Sequence, residues 1–188
     1  MLLERSAALD LASHIALEQA LYREARLLDE ERFAEWLEMT TEDVAYRMAL
    51  RSRRFRKDRS GDLPIGTGMI FDEDRARLCL RIDRLRSGYV WAEDPINFVR
   101  RIVSNVEIAW PDADDAEGGG SDDGEGRDWA EVHSVVTIHR SRINNQTRTL
   151  VAGRKDRWRR GGGAWRLARR DCVLDHSTIP DSNLNVFF

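Results

Sequence analysis

The order of hydrophobic patterns along these 188 residues predicts an α+β fold, with a curved antiparallel sheet wrapped over N-terminal helices. Two observations carry it. Helical periodicity is confined to the first half of the chain, whereas period-two alternation dominates the runs that follow Phe98. No strand–helix–strand alternation occurs, which argues against a Rossmann-type sheet.

From about Ser6 to Leu28, the residues Leu9, Ile15 or Ala16, Leu17, Leu21, Ala25 and Leu28 recur at helical spacing, with Glu18, Arg23, Glu24 and Arg26 expected on the other side. A short second helix, Glu30 to Leu37, turns Phe33, Trp36 and Leu37 inward. Val44, Tyr46 and Met48 then alternate with Ala45, Arg47 and Ala49 as a first strand. Residues 51–68 read as an extended loop, and Asp72 or Asp74 caps a third helix with Leu78, Ile82 and Leu85 on one face and Arg77, Arg81 and Arg84 on the opposite one. Phe98 to Trp110 alternates with Ile102, Val106, Ile108 and Trp110 inward, against Arg101, Asn105 and Glu107. Strands are also expected over Trp129 to Ser141, Arg148 to Arg159 and Trp165 to Leu174, the last following a turn at Gly161-Gly162-Gly163. The whole chain, 1–188, reads as one domain. Its one interruption is an acidic, glycine-rich insert at 112–128, whose eight acids and five glycines predict disorder because they leave nothing to bury.

Composition narrows the function. Thirty Lys and Arg against 33 Asp and Glu give a net charge of −3, too balanced for a chain whose main partner is nucleic acid or an anionic membrane. No apolar stretch is long enough to span a bilayer, and Glu4 and Arg5 interrupt the start where a secretory peptide needs an apolar run, so a cytoplasmic protein is expected. Cys79 and Cys172, without CxxC spacing, read as reduced thiols. Arg51 to Arg59 holds six basic residues in nine, around Phe55. Such a cluster suits nucleic acid or an acidic partner subunit, and the net charge favours the subunit.

Catalytic motifs are sparse. Neither cysteine begins a CxH or CxxH pair, and His133 and His139, six residues apart on one strand face, stand roughly 20 Å from each other, too far to share a metal. There is no phosphate-cradling glycine motif and no GxSxG. Acid/base chemistry keeps one candidate set, Asp43, Tyr46 and His133, which would need to line a pocket between sheet and helices. The competing reading makes Tyr46 a core residue and Asp43 a turn residue.

Five stretches, taken together, resemble the small β subunit of bacterial aromatic-ring-hydroxylating dioxygenases, which are Rieske non-haem iron oxygenases. They are LLDEERFAEWLEMTTEDVAY (Leu27 to Tyr46), FDEDRARLCLRIDRLRSGYVWAEDP (Phe71 to Pro95), RRIVSNVEI (Arg100 to Ile108), GRKDRWRR (Gly153 to Arg160) and WRLARRDCVLDHSTIPDSNLNVFF (Trp165 to Phe188). The resemblance implies a cystatin-like, nuclear-transport-factor-like cone and a non-catalytic, structural role. It implies no cofactor or metal on this chain, since the Rieske iron-sulfur cluster and mononuclear iron belong to a partner α subunit. It also implies an α3β3 hexamer receiving electrons from NAD(P)H through a reductase, often with a ferredoxin, for cis-dihydroxylation of an aromatic ring. The sequence departs from the family pattern in Ile96 to Val99 and in the acidic insert.

Candidate subunit contacts are Trp91, Glu93, Asp94, Arg100, Arg101 and Asn105, together with Phe187 and Phe188 of the apolar tail. The alternative for the Arg100 and Arg101 block is an internal brace before the long strand. The tail itself is expected to dock, because two exposed Phe rings are costly in water. Two rival functions remain open: a stand-alone dehydratase or isomerase using Asp43, Tyr46 and His133, and a small-molecule binding module with no partner.

Overall fold

The computed structural model describes residues 2–50, 69–87, 97–110, 129–142, 146–176, 184 and 186–188. The acidic insert, the arginine cluster at 51–59 and the candidates Trp91, Glu93 and Asp94 lie outside the described residues.

Helix α1 (Leu2–Asp29) buries Leu17, Leu21, Ala25 and Leu28 at spacings of four, four and three. Ile15 is 50% exposed and Ala16 is exposed as well, so neither joins the inward stripe. Glu24, expected outward, is buried. The helix closes through Glu31, which takes φ +56° while Arg32 N–H donates to Leu27 O at 2.8 Å, a Schellman-like end built without glycine. Helix α2 (Phe33–Glu38) then drives Trp36 into the core.

Six strands form one sheet: β1 (Thr40–Leu50), β2 (Met69–Asp74), β3 (Phe98–Ala109), β4 (Trp129–Arg142), β5 (Gln146–Gly161) and β6 (Ala164–Leu174). The order is β2-β1-β6-β5-β4-β3. Strand β1 runs parallel to β6, so the sheet is mixed rather than wholly antiparallel. A connection between parallel neighbours cannot be a tight hairpin, and here the chain between β1 and β6 builds every other strand. The sequence pattern does not predict strand β2, because Met69, Ile70 and Phe71 lead straight into Asp72, Glu73 and Asp74. Asp74 does cap helix α3 (Arg75–Arg86), accepting from Arg77 N–H at 2.9 Å. Strands β5 and β6 meet through Gly162 and Gly163, at φ +60° and +80°, the left-handed pair that a two-residue hairpin needs.

A bulge in β3 between Ser104 and Glu107 changes which residues face the helices. Before it Val99, Arg101 and Val103 point inward; after it Val106 and Ile108 do. Ile102, expected inward, is therefore 59% exposed, and Arg101, expected outward, is buried. A second irregularity, where Arg157 pairs with Arg169 but Trp158 pairs with Leu167, leaves Ala168 as the extra residue of β6. Two core groups result. One joins Leu21, Trp36, Tyr46, Leu78, Trp158 and Phe187; the other joins Met48, Val136, Ile138, Leu150, Leu174 and Phe188.

Candidate functional site

Asp43, Tyr46 and His133 do not converge. Asp43 stands on the outer sheet face, paired with Arg159. That pairing holds its carboxyl below the usual carboxylate range. His133 is also outward, 3.0 Å from Glu131 Oε1. Tyr46 alone points inward, fully buried, and burial pushes its phenol well above its ordinary value. A proton relay among the three has no geometry to use.

The space between sheet and helices is occupied by an ion network. Arg170, fully buried on β6, donates twice to Asp156 of β5 (Nε–Oδ1 2.9 Å, Nη2–Oδ2 2.6 Å). It also donates twice to Glu24 of α1 (Nη1–Oε1 2.7 Å, Nη2–Oε2 2.8 Å). Trp36 Nε1–H adds a bond to Glu24 Oε1 at 3.0 Å, and Arg154 Nη1 approaches Glu24 Oε2 at 3.4 Å. Burial alone would raise the Glu24 carboxyl, but the positive charges of Arg170 and Arg154 outweigh it and hold the group below its ordinary range. The same reasoning inverts for Arg170: burial opposes its charge, while Asp156 and Glu24 hold the guanidinium firmly protonated.

The tail completes the filling. Phe187 packs at 4.6 Å from Trp36 and 5.7 Å from Phe33, ring centroid to centroid, with the Arg81 guanidinium 4.4 Å above its face. Three buried arginines grip the tail backbone. Arg81 Nη2 donates to Leu184 O (3.1 Å) and Val186 O (2.7 Å), Arg101 Nε and Nη2 to Phe187 O (3.0 and 2.9 Å), and Arg170 Nη1 to Phe188 O (2.7 Å). Phe188 N–H donates to Tyr46 Oη at 2.7 Å, and Tyr46 O–H donates to Phe188 O at 2.8 Å. Arg81, expected on the solvent face of α3, is thus an interior residue that also pairs with Glu73 at 2.9 Å.

Of the candidate contact residues, Phe187, Phe188 and Arg101 lie inside the chain's own core. Arg101 Nη1 bonds Asp29 Oδ1 at 2.7 Å, and its backbone N–H donates to Asp29 Oδ2, so the residue ties β3 to the end of α1. Burial lowers its guanidinium pKa against that pairing. Within this chain the residue braces the start of β3 against the end of α1. Arg100 and Asn105 are at the surface, Asn105 in the left-handed region at φ +51° within the bulge. Sequence reasoning missed Glu24, Arg170, Asp156 and Arg81; each is charged, and the only signal for them was a charged residue standing on an apolar stripe.

Two adjoining clefts remain between the α1–α2 turn and the start of β3. One, of about 100 Å³, is lined by residues including Phe33, Val99, Arg101 and Phe187; the other, of about 340 Å³, by Asp29, Glu31, Asn97, Arg100 and His139. Among the described residues no group of three or more His, Cys, Asp or Glu is placed to hold a metal. Cys172 is buried beside Arg170, where desolvation pushes its thiol up to about 12. No helix among the described residues is long and apolar enough to cross a membrane.

Helices packed on one face of a bulged mixed sheet, with the space between filled by ion pairs and tail, define an α+β domain. The chain belongs to the ring-hydroxylating β-subunit family, whose profile matches residues 23–181. It is 31% identical over 175 residues to the β subunit of biphenyl 2,3-dioxygenase from Rhodococcus jostii (strain RHA1), covering 92% of this chain and 87% of that one. Its fold is similar to a chain of naphthalene 1,2-dioxygenase, solved with indole bound in the active site (TM-score 0.74, 27% identity, 97% of this chain and 86% of that one). An NTF2-like protein with a cystatin-like fold from Novosphingobium aromaticivorans shares the fold alone (TM-score 0.57, 16% identity, 99% and 94% coverage).

Proposed function

We propose that this chain is the non-catalytic, structural subunit of an aromatic-ring-hydroxylating dioxygenase that adds dioxygen to an aromatic ring by cis-dihydroxylation. Catalysis belongs to a large α subunit, which carries the Rieske cluster and the mononuclear iron and draws electrons from NAD(P)H through a reductase or ferredoxin. The two chains assemble in the cytoplasm as α3β3. The observation that carries the non-catalytic reading is the interior. Where a cone of this kind could open a pocket, Glu24, Arg170 and Asp156 are bonded to one another and Phe187 and Phe188 fill the remaining space. The stand-alone dehydratase or isomerase lacks support from the geometry, because Asp43 and His133 face away from Tyr46.

The test is co-purification. The tagged chain should recover a larger iron-binding subunit, with iron by elemental analysis in the complex and none stoichiometric in the isolated chain. Recovery of the chain alone from its source, together with dehydratase turnover, would refute the reading.

A further inference from the structure

The two clefts between the α1–α2 turn and the start of β3 carry charge of both signs. The outer one, of about 340 Å³, is lined by Glu30 and Glu31 of the turn and by Arg100 and His139, cross-strand neighbours on β3 and β4. Its volume lies at the small end of the range for ligand sites, roughly 300–1,000 Å³. The inner recess, of about 100 Å³, shares Asp29, Glu31, Asn97 and Val99 with it, and Phe33, Leu85 and Phe187 supply apolar wall. Buried Arg101 and Arg140 also line the recess. Three acids (Asp29, Glu30 and Glu31) and three arginines (Arg100, Arg101 and Arg140) thus surround one connected space.

Some of these charges are already engaged. Asp29 is bonded to Arg101, and Glu30 meets Arg32 at 3.0 Å. Arg100 reaches Asp29 only at 3.5 Å, with its side chain 74% exposed. Glu31 and His139 pair with no described residue. Glu31 is also the residue at φ +56°, at a helix end where glycine is the usual occupant. A carboxylate kept on strained backbone at the rim of a cleft points to a use for that carboxylate. The edge of β3 adds backbone groups. No strand lies beyond β3, so alternate residues turn N–H and C=O away from the ladder. Arg101 N–H is one of these, and the Asp29 carboxylate takes it at 3.1 Å. Val99, two residues earlier and lining both clefts, turns its N–H and C=O to the same edge.

We propose that this space binds a hydrophobic α-amino acid. Its ammonium group lies against Glu31, its carboxylate against Arg100, His139 and the edge N–H of Val99, and its side chain in the recess beside Phe33 and Phe187. Charge selects the class. A simple carboxylate entering the cleft meets Glu30 and Glu31, and a simple amine meets Arg100, whereas a zwitterion offers each side its opposite and leaves the balance of acids and arginines unchanged. An aromatic side chain gains ring contacts with Phe33 and Phe187. Every group invoked belongs to this chain, so the inference stands or falls independently of the subunit reading above.

The experiment titrates L-phenylalanine into the full-length chain by calorimetry. L-Phenylalanine should bind, while phenethylamine, which lacks the carboxylate, and hydrocinnamate, which lacks the ammonium group, should each bind at least about tenfold more weakly. Glu31→Gly, which relaxes the left-handed backbone, should leave the melting temperature at or above that of the unsubstituted chain and weaken L-phenylalanine binding by at least about tenfold. Arg100→Gln, a change to an exposed side chain, should weaken binding in the same direction and decides the matter if Glu31→Gly misfolds. Absence of heat with L-phenylalanine at millimolar concentration overturns the proposal. Equal affinity for the three compounds also overturns it, because the recess would then be a slot for any phenyl group. Unchanged affinity in both folded variants overturns it as well, by placing the bound amino acid elsewhere on the chain.

Discussion

Glu24 and Arg170, 146 residues apart in sequence, are joined by two hydrogen bonds of 2.7 and 2.8 Å at the centre of the molecule. The pair fastens the first helix to the last strand, and Asp156 occupies the remaining side of the guanidinium. A buried ion set of this kind repays its desolvation only when every member is present. Arg170→Leu, which strands two buried carboxylates, should therefore destabilise the chain by ~3–5 kcal/mol in urea unfolding. Replacing Glu24, Asp156 and Arg170 together with apolar residues of similar volume should cost less than that single change. A triple variant weaker than Arg170→Leu would show that the network does more than satisfy itself.

The same pair sets an acid limit. The folded Glu24 carboxyl titrates below its ordinary value of 4.5, so the folded chain binds fewer protons than the unfolded chain between the two values. Its contribution is present in full above about pH 4.5 and is lost as pH falls through the lower folded value. Urea midpoints measured from pH 6 down to pH 3 should fall for the unsubstituted chain. Glu24→Gln should start lower and lose less over the same range. Parallel curves for the two proteins would assign the acid limit elsewhere.

How far the sequence discloses this molecule depends on which physical signal each residue carries. The strands after Phe98 were readable because period two persists over ten or more residues, and the tail because two terminal Phe rings are too apolar to leave in water. Strand β2 was not readable, since its three apolar residues run into three acids that also announce a helix cap. The inner side of β3 was misread in its first half because alternation was carried through Ser104 to Glu107 as though no extra residue lay there. The site was the least legible part. Glu24, Arg81, Arg101 and Arg170 are interior because of partners up to 146 residues away, and it is their charge that assigns such side chains to solvent.

The tail should behave as part of the core. Phe187 is held by the Trp36, Phe33 and Tyr46 rings and by Arg81, so Phe187→Ala should cost ~3–5 kcal/mol, read as a drop in melting temperature. Phe188→Ala, in the neighbouring core group, should cost a similar amount. The two losses should not add, because releasing either ring also loosens the carbonyl oxygens that Arg81, Arg101 and Arg170 hold. Additive losses would mean that each ring docks independently of that grip.

Thiol chemistry distinguishes the two cysteines. Cys172 lies beneath the sheet with its thiol pushed up to about 12, whereas Cys79 is partly exposed on α3. Iodoacetamide at pH 8 should label Cys79 in the folded protein and Cys172 only after unfolding, as resolved by peptide mass spectrometry. The raised value also gives an alkaline sign. Stability from the neutral Cys172 thiol is present below its ordinary value of 9.0 and is lost as pH rises from there toward about 12. Cys172→Ala should flatten that alkaline loss, at some cost in packing at neutral pH.

The bulge in β3 makes the sharpest local prediction. Because inward positions are odd-numbered before it and even-numbered after it, Ile102→Lys should be tolerated within ~0.5 kcal/mol as a surface change. Val103→Lys, one position on and packed against the core, should cost several times more. Asn105, at φ +51° in the bulge, accepts glycine readily, whereas Asn105→Val forces a β-branched side chain into the left-handed region at a cost of ~1–2 kcal/mol. Unfolding curves for Ile102→Lys and Val103→Lys check the register, and those for Asn105→Gly and Asn105→Val check the backbone. If Ile102→Lys were the damaging member of the first pair, β3 would follow unbroken alternation, Arg101 would return to solvent, and its bonds to Asp29 and the Phe187 carbonyl could not exist.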